Sequence, residues 1–237
     1  MRLDKAAALA GLTRSEAKKA VAAGRVCVDG APLRDPAAQV APESVTVNGR
    51  PVAAPQPVYL MVNKPAGVVT ATEDRHLPCV SDLLPEALRR RDPGPVGRLD
   101  RDVTGLVLMT TDGQLAHRLI SPRWKAEKTY EAHCEGRLTP RDAEAFAAGL
   151  VLSDFTTKPA KLEIVEAGDD ASLARVTLTE GKFHQVKRMF AAVGHPLTTL
   201  RRVRIGCVAL DETLEPGQYR MLTQGEIDGL LKLCGLL

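Results

Sequence analysis

The segment Gly97-Arg98-Leu99-Asp100-Arg101-Asp102-Val103-Thr104-Gly105 holds two carboxylates in a polar loop just ahead of the apolar run Leu106-Val107-Leu108-Met109. A loop that dives into a buried strand is held by a rigid scaffold, where a carboxylate can serve as nucleophile, acid or base. Loop aspartates more often cap turns or form surface pairs, and by residue type Asp100 and Asp102 are equal candidates. A second polar stretch, from Glu180 to Met189, gathers Lys182, His184, Lys187 and Arg188. A cation beside a carboxylate in a dry pocket keeps it ionised where desolvation would neutralise it. The same residues also suit a basic helix face that meets solvent or phosphate. His184 has no partner at metal-ligand spacing. The five cysteines (Cys27, Cys79, Cys134, Cys207, Cys234) form no CxxC pair, so neither a zinc site nor a disulfide framework is indicated. An Asp/His hydrolase would want an activating His near Asp100 and an oxyanion nest, and neither is signalled.

The elements that must position these groups are readable from caps, turns and periodicity. Asp4–Ala10 reads as a short helix, and Thr13-Arg14-Ser15-Glu16 is a capping box that opens a second helix running to about Ala23, closed by Gly24. Arg25-Val26-Cys27-Val28 alternates like a half-buried strand before the turn Asp29-Gly30, and Val45-Thr46-Val47 precedes a second turn at Asn48-Gly49. Three prolines mark residues 51–57 as a linker. Val58–Val62 and Leu106–Met109 are short continuous apolar runs consistent with buried strands. Thr139-Pro140 starts a helix that Gly149 stops, and Val186, Met189, Phe190 and Val193 have helical spacing ended by Gly194. Leu162/Ile164 and Ala174/Val176/Leu178 alternate in strands, and Thr223–Glu226 is a second capping box before a final helix. Mixed order without a repeated βαβ unit predicts an α+β chain, with a small module over 1–50, a linker over 51–57 and a larger domain over 58–237.

At 237 residues, 44% hydrophobic and 26% charged, the chain has material for a substantial core. No apolar run approaches the roughly 20 residues of a membrane helix, and the amino terminus lacks a signal-peptide stretch, so a soluble cytoplasmic protein is expected. Net charge is only +3, but residues 1–50 carry eight Lys/Arg against five Asp/Glu, the excess of the whole chain. Counterion release from RNA phosphates would reward that placement, and a solvated helix face would look the same. Arg202 and Arg204 alternate with Val203 and Ile205, which predicts both arginines on one strand face, as RNA contacts or as the wet side of a sheet.

Gly97–Asp100, continuing through Thr104-Gly105-Leu106 to Thr110-Thr111-Asp112-Gly113, resembles the signature of a family of ribosomal RNA pseudouridine synthases. Further blocks match in order: Asn63-Lys64-Pro65-x-Gly67, Ser121-Pro122-Arg123, Glu127-Lys128-Thr129-Tyr130, Glu180 through Met189, and Pro216 through Arg220 with Leu222-Thr223. The first 50 residues are similar to the S4-type RNA-binding module that precedes the catalytic domain in this family. Phe183 through Gly194 looks most like the branch that acts on small-subunit (16S) ribosomal RNA, whose large-subunit (23S) relatives tend to carry Asn-Arg in place of Phe183-His184.

The resemblance implies a larger domain built on a mixed, largely antiparallel sheet with flanking helices, and a reaction that breaks the glycosidic bond of uridine, rotates the uracil and rejoins it through carbon. It implies Asp100 as the nucleophile, with no cofactor and no metal. A base in folded RNA must leave its stack and be received, and the family places a tyrosine under the uracil at the position of Tyr130; the alternative for Tyr130 is a core strand residue. The family's basic residue, often Arg, falls on Lys187, which grips a carboxylate as a point donor rather than a fork; Arg188 is the fallback. Arg2, Lys5, Arg14, Lys18, Arg25, Arg98, Lys128, Arg188 and Arg202 are expected to contact RNA. The expected partner is ribosomal RNA in a small-subunit assembly intermediate, met by a monomer with no membrane contact. The alternatives are a large-subunit synthase of the same chemistry and a non-catalytic RNA-binding protein.

Overall fold

The computed structural model describes residues 1–53 and 56–237, which form two compact units, Met1–Gln56 and Pro57–Leu237. Ala54 and Pro55, in the expected linker, lie outside the described residues.

In the small unit, helices α1 (Leu3–Ala8) and α2 (Arg14–Ala22) pack on a four-stranded antiparallel sheet. Its strands are β1 (Val26–Val28), β2 (Ala31–Pro32), β3 (Val45–Val47) and β4 (Arg50–Pro51), in the order β2-β1-β3-β4. The Thr13–Glu16 box closes in both directions, Glu16 N–H donating to Thr13 Oγ1 and Thr13 N–H to Glu16 Oε2. Both central residues of each hairpin turn have positive φ, Asp29-Gly30 and Asn48-Gly49, the handedness that lets a two-residue loop follow the strand twist. Leu3, Ala6, Ala17, Val21, Val26 and Val45 fill the core, and Val52 is buried with them. Pro51 and Val52 therefore belong to this unit rather than to a free connector.

The larger unit is built on a sheet of nine strands. They are β5 (Tyr59–Lys64), β6 (Gly94–Pro95), β7 (Thr104–Thr110), β8 (Lys128–Glu135), β9 (Lys161–Ala167), β10 (Ala171–Leu178), β11 (Leu197–Ile205), β12 (Val208–Ala209) and β13 (Tyr219–Met221). The main order is β13-β5-β7-β11-β8-β10-β9, with β6 paired to β7 and β12 to β11. Every pair is antiparallel except β7 with β11. The helices are α3 (Glu86–Arg89), α4 (Gly113–Ile120), α5 (Pro140–Ala148), α6 (Gln185–Ala192) and α7 (Gln224–Leu233). One face of the sheet packs Leu60, Val62, Val107, Tyr130, Val176, Phe146 and Phe190; the other packs Met61, Leu106, Leu108, Leu115, Leu119 and Leu230. Strands β5 and β7 are covered on both faces and so read as unbroken apolar runs. Strands β8 and β10 alternate because only one of their faces is covered.

The α+β expectation and its mixed, largely antiparallel sheet hold. The expected single face for Arg202 and Arg204 does not. The β8–β11 register slips between them, so that Arg202 pairs with Tyr130 and Arg204 with Thr129. The extra residue, Val203, turns Arg204 to the opposite face from Arg202, where it lines a cleft with Arg201, Arg175 and Glu131.

Candidate active site

The loop between β6 and β7 carries Asp100 and is tied down on both sides of it. Thr70 Oγ1 donates to the carbonyl of Leu99 at 2.8 Å and accepts from its N–H at 3.0 Å. The carbonyl of Arg101 accepts from Gly67 N–H at 2.8 Å and from Lys64 Nζ at 3.2 Å. The strand that follows is seated by close backbone approach: a Cβ on Gly105 would lie 2.3 Å from the Arg202 carbonyl oxygen, and Gly105 has φ +97°. Only glycine lets β7 meet β11 here.

The cations arrive on α6. Gln185 is buried with its amide donating to Glu180 at 2.6 Å, and its Oε1 accepts from Lys182 N–H at 2.9 Å, which fixes the turn into the helix. His184, left-handed at φ 49°, caps that helix. His184 and Lys187 are three apart, so they project on one side. His184 Nε2 lies 3.5 Å and Lys187 Nζ 3.2 Å from the same oxygen of Asp100. Arg188, one residue further round, turns away to Asp154 and Ser153 and lies over the Phe155 ring. The choice between Lys187 and Arg188 is therefore made by helical phase, in favour of Lys187.

Lys187 is shared. It also donates to both oxygens of Asp102, at 2.7 and 2.8 Å, closer than its approach to Asp100. Burial pulls the Lys187 pKa down, but the hydrogen bonds to Asp102 and Asp100 outweigh it, so the pKa stands above the ordinary lysine value. The hydrogen bond from Lys187 holds the Asp102 carboxyl below its usual range. Asp102, by residue type an equal of Asp100, thus anchors the cation.

Lys64 stands out only once the chain is folded. It is fully buried, and its Nζ donates to the Pro65 carbonyl at 2.9 Å as well as to Arg101. Burial pushes its pKa down to about 8 against the pull of Asp102 and Asp100. Two signals could have marked it, a lysine in the apolar run Leu60–Lys64 and its place in the Asn63-Lys64-Pro65-x-Gly67 block.

Tyr130, buried on β8, lines a cleft of about 80 Å³ together with Asp100, Lys187, Arg98 and Leu200. Tyr59 is hydrogen-bonded to Asp112 instead. A larger cleft of about 690 Å³ adjoins, sharing Asp100, Arg98 and His184 with the first. Two expected RNA contacts are placed otherwise. Arg202 is only 3% exposed and gives its Nε proton to the Leu106 carbonyl at 2.8 Å. Lys128 donates to the Leu119 carbonyl at 3.1 Å, and burial with neighbouring Arg202 pushes its pKa down to about 8. Both line a separate small cavity together with Tyr130, Arg98 and Ile120. Arg98 is exposed at the cleft, and Arg2, Lys5, Arg14, Lys18 and Arg25 are exposed on the small unit, with Arg2 paired to Asp4.

Chemically, the larger unit offers a carboxylate 29% exposed to a small cleft, flanked by a fixed cation, with an aromatic ring in the same cleft. That suits nucleophilic or proton-transfer chemistry on a planar ring. Among the described residues no group of three or more His, Cys, Asp or Glu could hold a metal ion, all five cysteines are free thiols, and no helix is long and apolar enough to cross a membrane.

Comparison with known proteins bears on both units. The family model for RNA pseudouridylate synthase matches residues 58–192, and the S4 domain model matches residues 1–45. The chain is 46% identical to a ribosomal small subunit pseudouridine synthase A of Vibrio parahaemolyticus, over 97% of this chain and 99% of the relative. It is 45% identical to the protein of that name in Escherichia coli K12, over 96% and 98%, and 45% identical to an uncharacterized RNA pseudouridine synthase of Bacillus subtilis, over 96% and 97%. Among solved structures, one described as a pseudouridylate synthase superposes with a TM-score of 0.70 at 39% identity, over 97% of this chain and 99% of that one.

Proposed function

From the premise that the chain belongs to the RNA pseudouridylate synthase family, we propose that it converts a uridine of small-subunit (16S) ribosomal RNA to pseudouridine, with Asp100 as the nucleophile, Tyr130 beneath the uracil and Lys187 as the cation paired with the carboxylate. The reaction is an isomerisation. The N1–C1′ bond breaks, the uracil turns, a C5–C1′ bond forms, and the hydrogen leaves C5 as N1 regains one. No donor or acceptor outside the RNA is consumed, so a positioned carboxylate suffices. The observation that carries the reading is the 3.2 Å approach of Lys187 Nζ to Asp100 in the same cleft as the Tyr130 ring.

The inner cleft is small against the ~300–1,000 Å³ of ordinary ligand pockets, which suits one base rather than a stretch of RNA. The uridine must then be extruded, at a cost of a few kcal/mol. Extrusion demands RNA that is still reachable, which favours an assembly intermediate over the finished subunit. The reading extends to a monomer working in the cytoplasm, drawing much of its RNA affinity from the exposed basic residues of the small unit.

The test is tritium release from 5-³H-uridine-labelled, unmodified 16S ribosomal RNA. Asp100→Asn is expected to abolish release while RNA affinity stays within a few fold. Release at the wild-type rate by that variant would remove Asp100 from the chemistry, and silence of the wild type would favour an RNA-binding protein without catalysis.

A further inference from the structure

Phe183 is 75% exposed, the one aromatic among the large hydrophobic side chains that the described residues leave to solvent. Its ring is not loose. It stacks on the His184 imidazole with centroids 3.7 Å apart and planes inclined by 20°, so one face is covered and the other open. The backbone beneath is fixed by two hydrogen bonds between Lys182 and Gln185, Lys182 N–H to Gln185 Oε1 and Gln185 N–H to the Lys182 carbonyl. Both rings line the larger cleft beside the nucleophile, and Ile120, itself 51% exposed, lines that cleft too, together with Arg98.

We propose that the open face of Phe183 is a second base-binding site, which stacks the nucleobase of a nucleotide adjoining the target. It rests on the reading of the chain as an RNA uridine isomerase. A target base held in the inner cleft brings its neighbours along the strand into the outer one, since successive nucleotides are covalently joined. A rigid ring with one free face stacks any base without reading its edges, and Arg98, which lines both clefts, is a cation for the intervening phosphate. The stacked pair also reaches the chemistry. His184 lies 3.5 Å from Asp100, so a base that pins Phe183 limits the positions His184 can take against the nucleophile. Phe183 is thus a positioning residue.

Two readouts test this on unmodified 16S ribosomal RNA transcript. Trp124 is the chain's single tryptophan, so Phe183→Trp in a Trp124→Phe background puts one indole at the site. Its fluorescence is expected to quench on saturation with transcript, as followed by filter binding on the same samples. Separately, Phe183→Ala is expected to lower kcat/KM by about 5- to 150-fold, the span of one stacked base, with Phe183→Tyr restoring most of it. An indole that stays bright on saturated RNA, or an alanine variant as fast as wild type, overturns the stacking site while leaving the isomerase reading intact. Quenching without any pseudouridine formed by the wild type would leave the base site standing and remove the isomerase reading instead.

Discussion

Replacing Lys187 with methionine keeps most of the side chain's volume and removes its charge. At 3.2 Å the Lys187–Asp100 pair is worth about 5 kcal/mol at an effective dielectric near 20 and about 1 kcal/mol in bulk water. The two side chains are 27% and 29% exposed, so solvent screens the pair only in part, and a loss of about 2–3 kcal/mol is expected. If that stabilisation is needed in the transition state, kcat falls by about 30- to 150-fold. Single-turnover tritium release reads the effect, with filter binding to separate it from RNA affinity and a urea melt to confirm folding. Lys187→Arg is expected to recover much of the rate, because a guanidinium can serve Asp100 and Asp102 at once. Arg188→Met is expected to stay within a few fold, since that arginine is engaged by Asp154. A Lys187→Met rate within threefold of wild type, or a larger loss from Arg188→Met, would refute the assignment of the cation.

The other expectations concern what holds the site. Lys64 has a pKa of about 8 against an ordinary 10.5, so between those values the unfolded chain binds more protons and stability rises with pH. The increment is at most about 3 kcal/mol; urea melts between pH 8 and 10.5 should show it in wild type and not in Lys64→Met, and parallel profiles would contradict the burial argument. Gly105→Ala puts a Cβ against the Arg202 carbonyl in a positive-φ position and should destabilise by at least about 3 kcal/mol; an unchanged denaturant midpoint would show that β7 and β11 can separate freely. Arg14→Gln with Lys18→Gln should lower RNA affinity and flatten log K against log salt by about 0.7–0.9 for each phosphate that is no longer neutralised. An unchanged slope would take those two side chains out of the RNA interface.

What could be read from the sequence were the features set by a few adjacent residues. The capping boxes at Thr13 and Thr223 need only two intervening positions to define them, and both form. Asn48-Gly49 and Asp29-Gly30 dictate their own positive φ. Strands β5 and β7 announced themselves because both faces are covered. What could not be read depended on register between distant segments. A single extra residue, Val203, reverses the face of Arg204, and no pattern inside β11 marks it. Lys128 and Arg202 are polar in type, yet backbone carbonyls of Leu119 and Leu106 receive them indoors. Tyr130 and Asp100 share a cleft only because β8 and β7 flank β11.

The charges about Asp100 show why the site needs more than one cation. Asp100 and Asp102 bring two negative charges, and Lys187, which pairs with both, can balance only one of them. Lys64, buried beneath and bonded to the Arg101 carbonyl between them, supplies the second positive charge. Nothing in the exposed pattern of the chain suggests it, because its work is done from inside β5. Its depressed pKa still leaves it mostly protonated at neutral pH, so the four groups sum to zero. A neutral set is the arrangement least disturbed when an incoming base drives water from the cleft, since desolvation penalises net charge most. The partners of Asp100 are themselves fixed by backbone hydrogen bonds and helical phase, so the pairing does not depend on solvent to hold it. An unpaired Asp100 would meet the base only at the cost of that water.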